Sequence, residues 1–173
     1  MDGEGLRARV PPRWRVGMAA PNEHEAALRV WRAAIAARRG APAPPHVAAR
    51  VRRYLGQADA FLLVAREPAG VVGMALGLQG LADDGAGPPV PGLCHVSSVY
   101  VAPERWGLGI GGALVDAVLA EAAARGYSRA QLWTQVDNAR ARRLYQSRGF
   151  APSGREKDDG DLGDRILHLE RTL

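Results

Sequence analysis

The segment from Val96 to Val118 restricts the possible folds of this chain more than any other. It opens with a β-branched run that ends at Val101, passes through a glycine-rich loop, and continues as an apolar pattern of helical period. The apolar side chains of that pattern recur on one helix face, at Ile110, Ala113, Leu114, Ala117 and Val118. The sequence therefore predicts a strand, a loop and an amphipathic helix in direct succession.

The loop of this segment carries glycines at 107, 109, 111 and 112. Glycine permits positive φ and close approach of a ligand to the backbone. The first N–H groups of the following helix have no intrahelical partner and carry the positive end of its dipole. The pattern is therefore typical of a phosphate or pyrophosphate site. The alternative is that the glycines only form the turn between a strand and a helix.

Gly107, Gly109 and Gly112 also satisfy G-x-G-x-x-G, the pattern of dinucleotide-binding folds. In those folds the first glycine follows its strand almost directly and further βαβ units come after it. Here residues 102–106 intervene and about sixty residues remain, so this alternative, a nucleotide-dependent oxidoreductase, is less favoured. A Walker loop is absent, because Lys157 is the only lysine.

The run V-Y-V-A-P-E-R-W-G-L-G-I-G-G-A-L, which starts at Val99, resembles the acetyl-CoA-binding signature of the GNAT N-acetyltransferases, [QR]-x-x-G-x-[GA]. Residues 106–111 occupy its six positions. The first position, normally Gln or Arg, is Trp106, and Arg105 lies one place too early. This departure affects only one side-chain contact, because backbone N–H groups form most of the predicted phosphate site.

A second block, Leu132 to Phe150, is similar to a strand of that family followed by N-x-x-A-x-x-L-Y-x-x-x-G-F. Six residues stand in register with it: Asn138, Ala141, Leu144, Tyr145, Gly149 and Phe150. With two blocks in the expected order, the chain is identified as a member of the GNAT family.

The resemblance implies an α/β fold with a central mixed, mostly antiparallel sheet flanked by helices, in the order β-α-α-β-β-β-α-β-α-β-β. Acetyl-CoA is the implied co-substrate, and the first two helices would help to line the acceptor pocket. The implied cofactor-binding residues are Val99, Tyr100, Val101, Gly107, Leu108, Gly109, Ile110, Gly111, Gly112, Asn138 and Tyr145. Val99 and Val101 would pair with the pantetheine amides, and an amide near Val99 or Tyr100 would polarise the thioester carbonyl.

Tyr145 is the implied catalytic acid, which protonates the departing thiolate. It follows Asn138 by seven residues, or two helical turns, so both can face one cleft. Two structural alternatives stay open: Tyr145 packs beside Leu144 on an amphipathic face, and Asn138 is a helix N-cap.

The acceptor amine must be uncharged to attack, so a base or a water chain is required. His95, on the predicted central strand, and Glu104, beside the loop, are candidates. A strand histidine can equally be a structural group, and a Pro-Glu pair can simply open a turn. The sequence leaves the base unassigned.

The length of 173 residues and the hydrophobic fraction of 47% suit a single domain, predicted over residues 13–173. Residues 1–12, which end in Pro11-Pro12, are predicted to be a flexible leader. The formal charge of +5 suits a phosphate-rich ligand. Because the arginines are scattered rather than clustered, no nucleic-acid partner is expected. No apolar run is long enough to span a membrane, so we expect a soluble, cytoplasmic protein.

The single cysteine, Cys94, excludes an internal disulfide, and four dispersed histidines offer no ligand spacing. The acidic runs at residues 83–84 and 158–161 lack the spacing of a calcium loop, so no metal is expected. The family makes a homodimer possible.

The expected activity is transfer of an acetyl group from acetyl-CoA to the amine of a small molecule or peptide, by direct attack in a ternary complex. A non-catalytic acyl-CoA sensor on the same fold is the main alternative, because it would need the glycine loop but not Tyr145.

Two local expectations concern the central strand, predicted over Leu93 to Val101. Strict alternation would place Leu93, His95, Ser97, Val99 and Val101 on one face and Cys94, Val96, Ser98 and Tyr100 on the other. The segment before it, residues 79–92, is rich in Gly, Pro and Asp and is predicted to be a loop.

Overall fold

The computed structural model describes residues 13–173, so the predicted leader over residues 1–12 lies outside it. Seven strands are present: β1 (Arg15–Met18), β2 (Phe61–Glu67), β3 (Gly70–Leu81), β4 (Pro89–Val101), β5 (Arg129–Gln135), β6 (Ala151–Asp158) and β7 (Arg165–Thr172). Four helices accompany them: α1 (His24–Arg39), α2 (Pro45–Leu55), α3 (Ile110–Ala124) and α4 (Ala139–Gln146). The predicted order of strands and helices is confirmed.

The strands form one sheet in the order β1-β2-β3-β4-β5-β7-β6. Every neighbouring pair is antiparallel except β4 and β5, which are parallel. The predicted mixed, mostly antiparallel sheet is therefore confirmed. It differs from the largely parallel sheet of dinucleotide-binding folds, so the G-x-G-x-x-G match does not indicate such a fold here.

The parallel pair β4 and β5 separates soon after it begins. Residues 93–95 pair with residues 129–131, and the two strands then continue without pairing to Val101 and Gln135. The amide of Ala102 donates to Val72 O on the β3 side, at 2.9 Å. Because backbone groups alternate between the two edges of a strand, those of Val99 and Val101 face the gap between β4 and β5.

A bulge in β4 overturns the predicted alternation of its side chains. Leu76 of β3 faces Ser98, but the next residue, Gly77, faces Val96, so Ser97 is an extra residue. Such an insertion moves the following side chains to the opposite face. Val96 therefore packs on the same side of the sheet as Val99 and Val101, and Tyr100 packs on the other.

The predicted loop over residues 79–92 is wrong over much of its length, because β3 continues to Leu81 and β4 begins at Pro89. The side-chain amide of Gln79 helps to hold this Gly- and Pro-rich segment in the sheet. Its Nε2 donates to Val90 O at 2.7 Å and to Leu93 O at 3.2 Å, so the side chain bridges part of the hairpin.

The sheet separates two apolar cores. One lies under α3 and contains Phe61, Leu114 and Leu132, and the other lies under α1 and α2 and contains Trp31 and Leu76. Burial of these side chains on both faces is the main favourable contribution to folding.

Gly77 provides a stability test of the core under α3. A Cβ at this position would lie 2.3 Å from Cζ of Phe61, so Gly77→Ala should crowd the ring and lower the free energy of unfolding by about 1–3 kcal/mol. Urea denaturation measures this change. Gly160→Ala is the control, because its Cβ would meet no atom within 4 Å and its φ is not positive; equal losses in both variants would contradict the packing argument.

Candidate functional site

Two cavities of similar size open beside the gap between β4 and β5. The first, here called the loop cavity, encloses about 520 Å³ and lies between the end of β4, the glycine loop and α4. The second, the helix cavity, encloses about 530 Å³ and lies between α1, α2, β4, β5 and the β6–β7 loop. Tyr100 lines both cavities, so they meet at this side chain.

The glycine loop begins helix α3 with an unusual backbone conformation. Gly107 and Gly109 have φ of 85° and 84°, and Gly109 is the N-cap of α3. A Cβ at either glycine would meet nothing within 4 Å, so glycine is required there for its conformation and not for space. The first intrahelical bond runs from Ala113 N to Gly109 O, which leaves the amides of residues 110–112 available to a ligand.

Not all residues of the loop reach the cavity. Gly107, Gly109, Ile110, Gly111 and Gly112 line it, but Leu108 is 57% exposed and lines neither cavity. Of the residues predicted to bind the cofactor, Leu108 is thus the one that the structure does not bring to the loop cavity. Arg148 occupies the space beside Gly112, because a Cβ there would lie 2.2 Å from its Nη2.

Trp106, at the position where the family normally has Gln or Arg, folds back over the end of β4. Its Nε1 donates to Val101 O at 2.8 Å, and the guanidinium carbon of Arg140 lies 5.6 Å from its ring centre. The ring is 41% exposed and lines the loop cavity. The Val101 carbonyl, a predicted partner of pantetheine, therefore already accepts one hydrogen bond.

The loop cavity is strongly basic. Its lining includes Arg38, Arg105, Arg140 and Arg143 and contains no Asp or Glu. Arg105 bonds Glu67 at 2.8 and 3.0 Å, and Arg38 bonds Asp164 at 2.8 Å. Within residues 13–173, Arg140 and Arg143 form no ion pair, so their charges are available to an anion in this cavity.

Tyr145 lies on α4, lines the loop cavity and is only 8% exposed. Its ring packs edge-on against Phe150, with centroids 5.8 Å apart. Burial raises the pKa of Tyr145 above its usual range, and the nearby phenol of Tyr100 raises it further. The side chain therefore stays protonated around neutral pH and can act as a proton donor.

Asn138 stands at the other end of the same helix. Its Oδ1 accepts a hydrogen bond from Ala141 N at 3.1 Å, so Asn138 is the N-cap of α4. This is the structural alternative that the sequence left open for Asn138. It also lines the loop cavity together with Tyr145. The predicted spacing of two turns does place both side chains beside one cavity.

The helix cavity has a polar floor and aromatic walls. Because of the bulge at Ser97, His95, Ser97, Ser98 and Tyr100 all line this one cavity. The walls include Trp31, Tyr54 and Trp133, and the end of β6 with the β6–β7 loop contributes residues 158–162. This loop is fixed to α1 and α2, since Arg39 Nη1 donates to Leu162 O at 3.1 Å and Arg50 pairs with Asp161.

The two candidate bases differ in position. His95 lies in the helix cavity, and its Nδ1 is buried without a hydrogen-bond partner among the described residues. Burial lowers the pKa of His95 to about 4, with smaller contributions from His168 and Lys157, so the ring is neutral at pH 7. Glu104 is exposed and lines neither cavity.

The charged residues that sequence reasoning missed include Arg140 and Arg143 in the loop cavity and Asp159 in the helix cavity. The two arginines lie one helical turn apart within the second family block, which was an available signal. Asp159 belongs to the acidic run that the sequence analysis tested as a calcium loop and rejected.

Neither a membrane helix nor a metal cluster is found in the described part. No helix between residues 13 and 173 combines the length and the apolar character needed to cross a bilayer. Over the same residues, no three side chains among His, Cys, Asp and Glu are grouped to hold a metal ion.

The chain has relatives of known family and fold. The sequence model of the acetyltransferase (GNAT) family matches residues 27–150. A segment of 52 residues is 46% identical to mycothiol acetyltransferase from Beutenbergia cavernae, and it represents 30% of this chain and 18% of that protein. The chain therefore spans less than a fifth of the length of this relative.

Two solved structures share the fold along nearly their whole length. A GCN5-related N-acetyltransferase from Kribbella flavida has a TM-score of 0.74 at 21% identity, over 95% of this chain and 100% of that one. PaiA N-acetyltransferase from Thermoplasma acidophilum, solved in complex with coenzyme A, has a TM-score of 0.68 at 13% identity, over 92% and 99%. Since the family match covers well over half of the sequence, this chain belongs to the GNAT acetyltransferase family.

Proposed function

We propose that this protein is an N-acetyltransferase that moves an acetyl group from acetyl-CoA to an amine in a ternary complex. The observation that carries the proposal is the meeting of two cavities at Tyr100: one is basic and contains the glycine loop, and the other is lined by aromatic and polar residues, including charges of both signs. Two substrates can therefore approach one point from separate sides. This arrangement suits direct transfer between them.

The loop cavity fits the charge and shape of acetyl-CoA. The free amides of residues 110–112 would hold the pyrophosphate, and Arg140 and Arg143 would neutralise phosphate charge. The backbone groups of Val99 and Val101 that face the gap would bond the pantetheine amides. When bound, this co-substrate supplies an acyl thioester, whose reactive carbon would lie near Tyr100.

The transfer forms a C–N bond to the acceptor and breaks the C–S bond, and the leaving thiolate needs a proton. Tyr145 would supply that proton, because its phenol is protonated at neutral pH and lines the loop cavity. An ammonium group must lose one proton to solvent water before it attacks, and the second proton leaves as the C–N bond forms. One of these protons replaces the proton that Tyr145 gives to the thiolate, and the other is released to solvent. Neutral His95, in the helix cavity, adds no positive charge that would oppose entry of the amine.

Direct transfer also agrees with the environment of the only cysteine. Cys94 is buried in the core under α3 and lines neither cavity. Burial raises the pKa of the Cys94 thiol to about 12, so it is neither accessible nor ionised as a nucleophile requires. An acyl-cysteine intermediate is therefore not part of the proposal.

Ligand-dependent thermal unfolding tests the cofactor assignment. Acetyl-CoA and CoA should raise the unfolding midpoint, because a ligand present at 100 times its Kd stabilises the native state by about 2.7 kcal/mol. NAD should have no effect. A shift with NAD alone, or with none of the three ligands, would contradict the proposal.

The charges of α4 give a second test. The double variant Arg140→Gln and Arg143→Gln should weaken CoA binding at least about tenfold at low salt, with a smaller loss in 0.5 M NaCl because salt screens the attraction. Titration calorimetry measures both values. Arg29→Gln, an exposed arginine of α1 outside both cavities, is the control. An unchanged affinity in the double variant would remove these residues from the site.

A further inference from the structure

The helix cavity has the size and the walls of a small-molecule site. Its volume of about 530 Å³ lies within the range of pockets that enclose small ligands. Trp31 and Tyr100 form one wall, with their rings edge-on and their centroids 6.5 Å apart, and Tyr54 and Trp133 line other parts. Such walls favour a ligand with a flat aromatic body.

The β6–β7 loop makes the cavity less suited to a protein segment. Asp161 of this loop pairs with Arg50 and lies 3.3 Å from His46, both on α2. Arg38 and Arg39 of α1 bond Asp164 and so tie down the end of the loop. An extended chain would have to displace these ion pairs to pass between the loop and the helices, whereas a small molecule would not.

Most of the carboxylates in this cavity are already neutralised. Asp84 pairs with Lys157 at 3.5 Å and with Arg155, and Asp158 pairs with Arg165 at 3.3 Å. Asp161 pairs with Arg50, as described above. Asp159 differs, because its carboxylate forms no ion pair with any residue between 13 and 173. Its Oδ1 accepts a hydrogen bond from Asp161 N at 3.0 Å, which leaves capacity for a cationic ligand.

Two further observations concern the polar groups of this cavity. Burial raises the pKa of Tyr100; the negative charge of Asp159 adds to the rise, and the positive charges of Arg38 and Arg50 and a hydrogen bond with Trp31 oppose it, so the phenol interacts with all of these side chains. On the floor of the same cavity, the buried Nδ1 of His95 lacks a hydrogen-bond partner among the described residues. Buried polar atoms normally have partners, so a polar group of a ligand or an ordered water is expected here.

From these contacts we propose that the acceptor is a small arylalkyl primary amine, bound as a cation with its ammonium group beside Asp159 and Tyr100. This inference rests on the proposed acetyltransferase function and names the substrate class of its second site. Tyr100 also lines the loop cavity, so an amine held there lies where the two substrates meet. The aromatic body would occupy the space beside Trp31 and Tyr54, because Lys157 and Arg155 already lie over the Trp133 ring, 4.4 and 5.3 Å from its centre.

Substrate comparison tests the class. With saturating acetyl-CoA, 2-phenylethylamine should have a kcat/KM at least about tenfold above that of butylamine and of a short peptide with a free N-terminus, because only the first offers both charge and ring. Its kcat/KM should also exceed that of phenylalanine. Arg53 lines the cavity as well, but the carboxylate of phenylalanine is on the same carbon as its amine and would meet the like charge of Asp159. A preference for butylamine, the peptide or phenylalanine would overturn the inference.

Asp159→Asn tests the anchor. This change removes the charge but keeps an oxygen that can accept the bond from Asp161 N, so the loop should keep its fold. The KM for 2-phenylethylamine should rise at least about tenfold and the KM for acetyl-CoA should stay within about twofold. Glu156→Gln is the matched control, because this nearby carboxylate is exposed, lies outside both cavities and is already paired with Arg165.

Equal effects of Asp159→Asn and Glu156→Gln, or an unchanged KM for the amine in Asp159→Asn, would overturn the role of Asp159. Failure of the acetyltransferase proposal is distinguishable, since the wild type would then fail to bind CoA or would acetylate no amine at all. Acetylation of other amines in preference to 2-phenylethylamine would overturn only the acceptor assignment.

Discussion

Tyr145→Phe is expected to lower kcat for acetyl transfer about 100-fold and to leave the affinity for CoA within about twofold. The change removes only the phenol oxygen, so the packing against Phe150 remains and the proton donor for the leaving sulfur is lost. Steady-state kinetics and calorimetry with CoA measure the two quantities. If kcat is unchanged, Tyr145 packs the helix without a catalytic role.

Tyr127→Phe is the matched control for this variant. Tyr127 packs against Phe61, with ring centroids 6.4 Å apart, and lines neither cavity. It should leave both kcat and CoA affinity unchanged. Because burial raises the pKa of Tyr145, the wild type should also keep its activity on the alkaline side up to and beyond the usual tyrosine pKa of about 10. A loss of kcat with an apparent pKa near 8 would contradict the assigned proton donor.

Gly109→Ala is expected to weaken CoA binding at least about tenfold. An alanine is strained by about 1–2 kcal/mol at the left-handed φ of 84°, and relief of that strain would turn the amides of residues 110–112 away from the bound phosphates. Calorimetry with CoA gives the affinity and thermal unfolding gives the loss of stability.

Gly126→Ala separates binding from stability. Gly126 has a φ of 89° just after α3, and, as at Gly109, a Cβ would meet nothing within 4 Å. Both variants should therefore lose similar stability, but only Gly109→Ala should lose CoA affinity. Equal affinities would show that the conformation of the loop does not hold the phosphate.

Much of the fold could be predicted from the sequence because the two family blocks fix the order of the elements on both sides of α3. The bulge at Ser97 could not be predicted, because Ser97 and Ser98 are both small and polar and leave no break in the apolar pattern. The bulge has consequences for the site: it directs His95, Ser98 and Tyr100 into one cavity and leaves Val99 on the α3 side.

The two halves of the site differ in how far sequence predicts them. The glycine loop and Tyr145 lie in the two family blocks, so most residues predicted to bind the cofactor do line the loop cavity; its arginines were not predicted, and Leu108 does not reach it. The helix cavity is built from α1, α2, β4, β5 and two loops that are distant in sequence. Which carboxylate remains unpaired there depends on contacts such as Arg50 with Asp161, which no local pattern indicates.

The most direct test of the proposed function is amine-dependent release of CoA thiol from acetyl-CoA by the purified protein. The expected result is release that requires a primary amine, with one acetylated amine, identified by mass spectrometry, for each CoA formed. CoA binding without any release, across a panel of arylalkyl, alkyl and peptide amines, would contradict acetyl transfer and favour a non-catalytic acyl-CoA sensor.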